Sequence, residues 1–368
     1  MPKKKKHNIW KKWAGLLHLW LGLLTGIIVF IVAVTGCIFV FHNEIQDLTL
    51  DWRKITPQEE AFVAPSVLQD KVTNLFPGAE AGMVVYQNRE RPAHVFAVIE
   101  DRPHHIYFNP YTATLTHIQD LEKDFFLIIE DLHMHLLLPE AIGKQVVGAS
   151  TLIFILMLIT GIVLWWPRKK KSFKENLKIK WKARWRRVNY DWHRTTGFYV
   201  SFLALFLALT GLSFSYEWMN ESFYEIGNLG KEYPEDEIQL QITGVAGEFM
   251  HQPVDMAMAQ TFQLMPASGM YFVWHQGPDA PIVTGAYPHA LEFDHQSNFY
   301  FHPITGELLR EHYYEDKSNG MKLQEMSYGL HTGQYFGLAG KIIGFLGSLF
   351  VAGLPVSGFL LWWGRRNK

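Results

Sequence analysis

Four stretches of this chain carry almost no charge over the length a helix needs to cross a bilayer, roughly 20 residues. They are Leu16–Phe41, Val146–Trp166, Gly197–Tyr216 and Ile342–Trp363. In hydrocarbon each backbone amide must find its partner inside the protein, so such runs read as helices. Between them lie polar segments, Asn43–Lys144 and Glu217–Lys341, each large enough for a small domain. The expected fold class is a membrane all-α four-helix bundle, built as two parallel membrane–lobe–membrane repeats, with two α+β lobes outside. This corresponds to segments 1–15 (terminus), 16–41 (first span), 42–131 (first lobe), 132–166 (interfacial segment and second span) and 167–192 (basic loop). The second half follows as 193–216 (third span), 217–330 (second lobe), 331–363 (fourth span) and 364–368 (tail).

Charge predicts which side each segment occupies. Of the 34 Lys and Arg, 21 fall in the first twelve residues, the loop Pro167–Arg194 and the tail "GRRNK", beside only two acids, Glu175 and Asp191. The positive-inside rule therefore predicts that both termini and the middle loop are cytoplasmic and both lobes lie outside. The first apolar run, 26 residues long, exceeds a signal-peptide core and reads as an uncleaved helix. One cysteine, Cys37, rules out thiolate clusters, and the basic loop is better explained by topology and anionic lipid than by nucleic acid.

The chain repeats. "HLWLGLLTGIIVFIVAVTG" (18–36) lies over "HRTTGFYVSFLALFLALTG" (193–211), and "GKQVVGASTLIFILMLITGIVLWWPR" (143–168) over "GKIIGFLGSLFVAGLPVSGFLLWWGR" (340–365). An "LH" precedes each second element, at His133 and His331, with one residue of slippage. "IYFNPYTATL" (106–115) matches "FYFHPITGEL" (299–308), each a strand, turn and strand. Strands are also expected at Met83–Tyr86, His94–Glu100, Met270–His275 and Ala290–His295, with a short helix between prolines ahead of each set. Because both halves enter the membrane from the same side, the pseudo-twofold axis runs along the membrane normal.

This symmetry singles out four of seventeen histidines. A pseudo-twofold brings His18 to face His193 in one layer and His133 to face His331 in another. Two imidazoles facing across an apolar bundle are what a b-type haem needs, one nitrogen on each face of the iron. Two haems per chain would form an electron path across the membrane. Gly22 and Gly197, four residues after the inner histidines, would leave room for a porphyrin. Gly36, Gly161, Gly211 and Gly358 recur too, with helix crossings as the simpler account. Arg194 is a candidate partner for a haem propionate. His42 and His135 lack repeat partners and are the runner-up outer ligands. His133 and His135 cannot both reach one metal from one helix, since two residues differ by about 200°. His94, His104, His105, His117, His251, His275, His289, His295, His302 and His312 are scattered over the lobes; "PHH" at 103–105 is a candidate surface for a metal complex, with solvated positions as the simpler account of the set. No nicotinamide, P-loop, zinc-helix or nucleophile-elbow motif occurs, so any electron donor lies outside this chain.

The pieces "LLHLWLGLLTGIIVFIVAVTG", "LHMHLLLPEAIGKQVVG", "DWHRTTGFYVSFLALFLALTG" and "LHTGQYFGLAGK" resemble the PepSY-associated transmembrane family of bacterial iron-regulated membrane proteins. The turns "NPYTATL" and "HPITGEL" resemble the end of the PepSY motif. The resemblance implies an inner-membrane protein with two haems between four helices and periplasmic PepSY-like lobes. It implies reduction of ferric iron held by a chelate or siderophore, with a cytoplasmic or quinol donor, and His18, His133, His193 and His331 as axial ligands. Two departures stand out: Met134-His135 where the family often has Arg-Ser, and Ala113 where Gly is usual. A second reading is a non-enzymatic module whose lobes bind or regulate a periplasmic protease or iron-uptake component; a chelate permease ranks last, since few polar residues lie mid-helix.

Overall fold

The computed structural model describes residues 9–167, 170–236, 240, 242 and 251–366. The basic run "PKKKKH", Arg168 and Lys169 of the middle loop, and the last two residues lie outside the described residues. In chain order the helices are α1 (Ile9–Phe39), α2 (His42–Thr49), α3 (Pro65–Leu75), α4 (Phe125–His135), α5 (Glu140–Trp165) and α6 (Lys170–Asn176). They continue as α7 (Trp185–Ser215), α8 (Glu217–Gly227), α9 (His251–Leu264), α10 (Asn319–Thr332) and α11 (Gly337–Arg366). The chain divides into two compact units, one of residues 1–41, 129–220 and 330–368, the other of 42–128 and 221–329.

The first unit holds four helices long and apolar enough to cross a membrane. α1 and α7 each pack against both α5 and α11. Their shared core is small and aliphatic: Val29, Ala33, Leu158, Val200, Ala204, Val351 and Ala352. α1 and α7 begin well before the apolar runs do, at Ile9 and Trp185. Their 31 residues span about 46 Å, against roughly 30 Å of hydrocarbon. The extra turns carry Lys, Arg and exposed Trp10, Trp13 and Trp185, residues suited to the headgroup layer. Helical periodicity continues there because nothing breaks it. α5 stops where Pro167 excludes a helical residue before it, leaving Trp166 extended.

The second unit is one antiparallel sheet of eight strands in the order β4-β3-β2-β1-β5-β6-β7-β8. These are β1 (Glu80–Tyr86), β2 (Ala93–Ile99), β3 (Arg102–Phe108), β4 (Leu115–Asp120), β5 (Met270–Trp274), β6 (Ile282–Tyr287), β7 (Ser297–Phe301) and β8 (Leu308–His312). The two lobes expected from the repeat share this one sheet instead of each holding its own. Each half supplies a four-stranded meander, and β1 pairs with β5 through Val84↔Val273, Val85↔Phe272 and Tyr86↔Tyr271. Pairing removes two sheet edges that would otherwise expose unpaired amides. It also merges the cores: Leu68 and Val72 of α3 and Val254, Ala257 and Met258 of α9 cover one face with Val84, Tyr86, Val273, Phe299 and Phe301.

A second correction concerns Ala290–His295, expected as a strand. It is a loop in which Leu291 (φ 64°) and His295 (φ 56°) take the left-handed conformation. The alternation "ALEFDH" mimics a strand, yet Asp294 and His295 bond each other (2.8 Å) and the His295 ring packs 4.4 Å from that of Tyr314. The two repeated turns are built alike. Asn109 Oδ1 accepts from the amide of Tyr111, and His302 Nδ1 from that of Thr305. Ala113 (φ 53°) occupies the left-handed position that Gly306 (φ 70°) fills in the second half.

Candidate functional site

All four symmetry-selected histidines fall in the helical unit. His18 lies on α1, His193 on α7, His133 near the end of α4 and His331 near the end of α10. The His18 and His193 rings are 6.2 Å apart between centres and nearly perpendicular, at 82°. Those of His133 and His331 are 6.1 Å apart at 64°. The short helices α4 and α10 deliver their histidines only because the chain then reverses into α5 and α11. In the second half the reversal uses Gly333 (φ 77°) and Gly337 (φ 61°); in the first, Leu136 (φ 59°) and Leu137 (φ 57°) accept the left-handed backbone.

Each imidazole rests on a neighbouring helix at a small-residue–glycine pair. A Cβ on Gly161 would stand 3.3 Å from Cε1 of His18, and on Gly358 3.3 Å from Cε1 of His193. On Gly36 it would stand 3.2 Å from Cε1 of His133, and on Gly211 3.0 Å from Cε1 of His331. The residue before each glycine meets the same ring. His18 Nδ1 lies 3.1 Å from Thr160 Oγ1, His193 Nδ1 2.8 Å from Ser357 Oγ, His133 Nδ1 3.1 Å from Thr35 Oγ1 and His331 Nδ1 3.0 Å from Thr210 Oγ1. A backbone carbonyl three residues before each hydroxyl shares the contact: Met157, Leu354, Val32 and Leu207.

With Nδ1 held at the neighbouring helix, the Nε2 edge is the one available to a ligand. Two metal–nitrogen bonds of about 2 Å, plus about 1 Å from each nitrogen to its ring centre, place facing ring centres roughly 6 Å apart. Both pairs meet that spacing, and the glycines make the cradles that a side chain would fill. The residues present therefore fit a flat macrocycle ligated on both faces. Elsewhere, no group of three or more His, Cys, Asp or Glu able to hold a metal ion occurs among the described residues.

Other candidate residues lie in different surroundings. The Cβ positions of Gly22 and Gly197 face Met157 and Leu354, 3.2 and 3.7 Å away, not an imidazole. Arg194 lies 3.2 Å from the buried carboxylate of Asp191 on its own helix and donates to Asn176 Oδ1 and the Glu175 carbonyl of α6, while its buried Nε has no hydrogen-bond partner among the described residues. His135 pairs with Asp131 at 2.9 Å, and His42 lies in the sheet unit, its ring 6.1 Å from that of Phe126. The hydroxyl-bearing residues Thr35, Thr160, Thr210 and Ser357 escaped sequence reasoning, although the repeated small–Gly dipeptide was their signal.

The scattered lobe histidines are not uniformly solvated. His94 and His312 are buried, and His105 packs 4.6 Å from His94 between Phe96 and Tyr107. Burial holds His94 well below the usual imidazole range and pushes His105 down to about 4. His117 stacks on Trp52 at 4.2 Å. His94, His105 and His117 form, with Tyr107 and Trp52, an aromatic layer across β2, β3 and β4.

The family model for the PepSY-associated TM region matches residues 16–365. No curated protein matches the chain.

Proposed function

The chain belongs to the family of the PepSY-associated TM region, and we propose that it is a transmembrane electron carrier holding two b-type haems and reducing ferric iron outside the membrane. One observation carries this reading: two pairs of facing imidazoles, 6.2 and 6.1 Å apart, each ring seated on a glycine and held at Nδ1. A neutral histidine buried in an apolar helix needs a hydrogen bond, but it does not need a symmetric partner at ligand spacing. His18 with His193 would hold one haem and His133 with His331 the other. Bound there, haem supplies reversible one-electron transfer between its ferric and ferrous states.

The remainder follows from what each part can do. We read the chain as two copies of one helix–strand–helix unit related by an axis along the membrane normal. His18 precedes Thr35 by seventeen residues on α1, as His193 precedes Thr210 on α7, so the two layers stand about 26 Å apart along the helices. That spans most of the hydrocarbon. The charge asymmetry supports reading the His18–His193 layer as cytoplasmic in a bacterial inner membrane and the sheet unit as periplasmic. Electrons enter from a separate cytoplasmic or quinol donor. The acceptor is a ferric chelate such as a siderophore, because ferrous iron is bound more weakly by hard oxygen ligands and is released on reduction.

The deciding experiment is a reduced-minus-oxidised spectrum of protein purified from haem-sufficient cells. About two haems per chain are expected, falling to about one in His193→Ala and in His331→Ala. A colourless wild-type preparation would sink the proposal.

A further inference from the structure

Each hydroxyl that meets an imidazole has a backbone carbonyl of its own helix within donating distance. Thr35 donates to the Ile31 carbonyl (2.8 Å), Thr160 to Leu156 (2.9 Å), Thr210 to Phe206 (2.9 Å) and Ser357 to Leu354 (3.0 Å). A hydroxyl offers one proton and two lone pairs. With its proton committed to its own helix, each oxygen meets Nδ1 as an acceptor. The backbone carbonyl beside it also only accepts. Nδ1 must therefore carry the ring proton in all four histidines, which leaves the lone pair of the neutral imidazole on Nε2. The tautomer is set by the neighbouring helix, not by the histidine.

We propose that Thr35, Thr160, Thr210 and Ser357 are positioning residues that fix this tautomer and tune the two metal sites through it. The inference rests on the dihaem reading above. A hydrogen bond from Nδ1–H to a good acceptor increases electron density at Nε2, making it a more basic axial ligand. A more basic ligand favours the ferric form and lowers the midpoint potential. The Ser357 contact, at 2.8 Å, is the shortest of the four; the three threonines stand at 3.0–3.1 Å. Ser357 is also the one serine in the set, and its carbonyl accepts from Asn189 Nδ2 at 3.0 Å, which pins this turn of α11. The His18–His193 site is thus the lower-potential one, and electron transfer from it to the His133–His331 site runs downhill.

Spectroelectrochemical titration of the full-length haem-loaded protein tests this. Two components are expected. Ser357→Ala should raise the lower potential and leave the higher one in place, while Thr210→Val should raise only the higher. Ser357→Thr, which keeps the acceptor, should stay close to wild type. If Ser357→Ala instead sheds one haem, retention of both in Ser357→Thr supports the same role. Thr160→Val, acting on the other face of that haem, provides the parallel reading of its potential. Haem-loaded variants with unmoved potentials would overturn this proposal alone, as would Ser357→Ala moving the higher component. A haem-free wild-type protein would instead fail the dihaem reading on which it stands.

Discussion

At Gly211 a side chain would place its Cβ 3.0 Å from Cε1 of His331, closer than most side chains tolerate. The imidazole cannot simply retreat, because Thr210 Oγ1 holds its Nδ1 at 3.0 Å. Gly211→Leu should therefore displace His331 and reduce haem content from about two to about one per chain, measured as the pyridine haemochrome. Gly197→Ala is the contrasting variant. Its Cβ would meet Leu354 at an ordinary 3.7 Å, and both haems should remain. Equal loss in the two variants would show that helix packing, not the ring cradle, governs retention. The residue scale is also where sequence reading reached furthest and then stopped. Symmetry alone selected the four histidines, because a repeat turns one position into a facing pair. It could not say which glycine each ring rests on, since the contact runs between α1 and α4, α5 and α1, α7 and α10, or α11 and α7. The recurring glycines Gly36, Gly161, Gly211 and Gly358 were visible in the repeat, but that each seats a ring from another helix was not.

Among the elements, the strands β2, β3 and β4 carry a second histidine group with a different logic. His105 packs against His94 and Phe96, and Gln119, Asp124, His117 and Arg53 complete the surroundings of this pair. Burial is the largest cause holding His105 near 4, opposed by Gln119 and Asp124; His94 is held down by burial and then by His105 and Arg53. An unfolded histidine titrates near 6.5. Between about 6.5 and 4 the unfolded chain therefore binds protons that the folded sheet refuses. The stability these rings contribute is present above 6.5 and declines as pH falls through that window, by up to about 3 kcal/mol for His105. Thermal unfolding of the purified protein should show a loss of this form, and His105→Phe should flatten it. An unchanged pH profile in that variant would locate the acid sensitivity elsewhere. The strands themselves were largely legible, since alternation and the Asn/His-Pro turns fix β3–β4 and β7–β8. The joining of β1 to β5 was not, because nothing local distinguishes an edge that meets solvent from one that meets its symmetry mate. Ala290–His295 failed for a related reason: alternation survives in a loop when its polar residues bond one another.

For the whole molecule, the distribution of charge makes the strongest claim still open to measurement. The four spans were legible because hydrocarbon permits few alternatives, and their extra turns were not, because charged helix in the headgroup layer reads as loop. Sidedness has a firmer physical basis than either. Lys and Arg in short loops resist translocation, and 21 of 34 fall in the three segments expected to stay inside. Cys37 is the sole cysteine and is buried, so its replacement by alanine gives a clean background. In that background a cysteine at the exposed Glu59 should react with a membrane-impermeant maleimide in intact spheroplasts. One at the exposed Lys182 should react only after the membrane is permeabilised. The reverse pattern would put the His133–His331 layer on the cytoplasmic side and invert the electron path. Labelling of both in intact cells would remove the transmembrane arrangement altogether. The expected pattern leaves the two imidazole pairs at opposite depths of one bilayer.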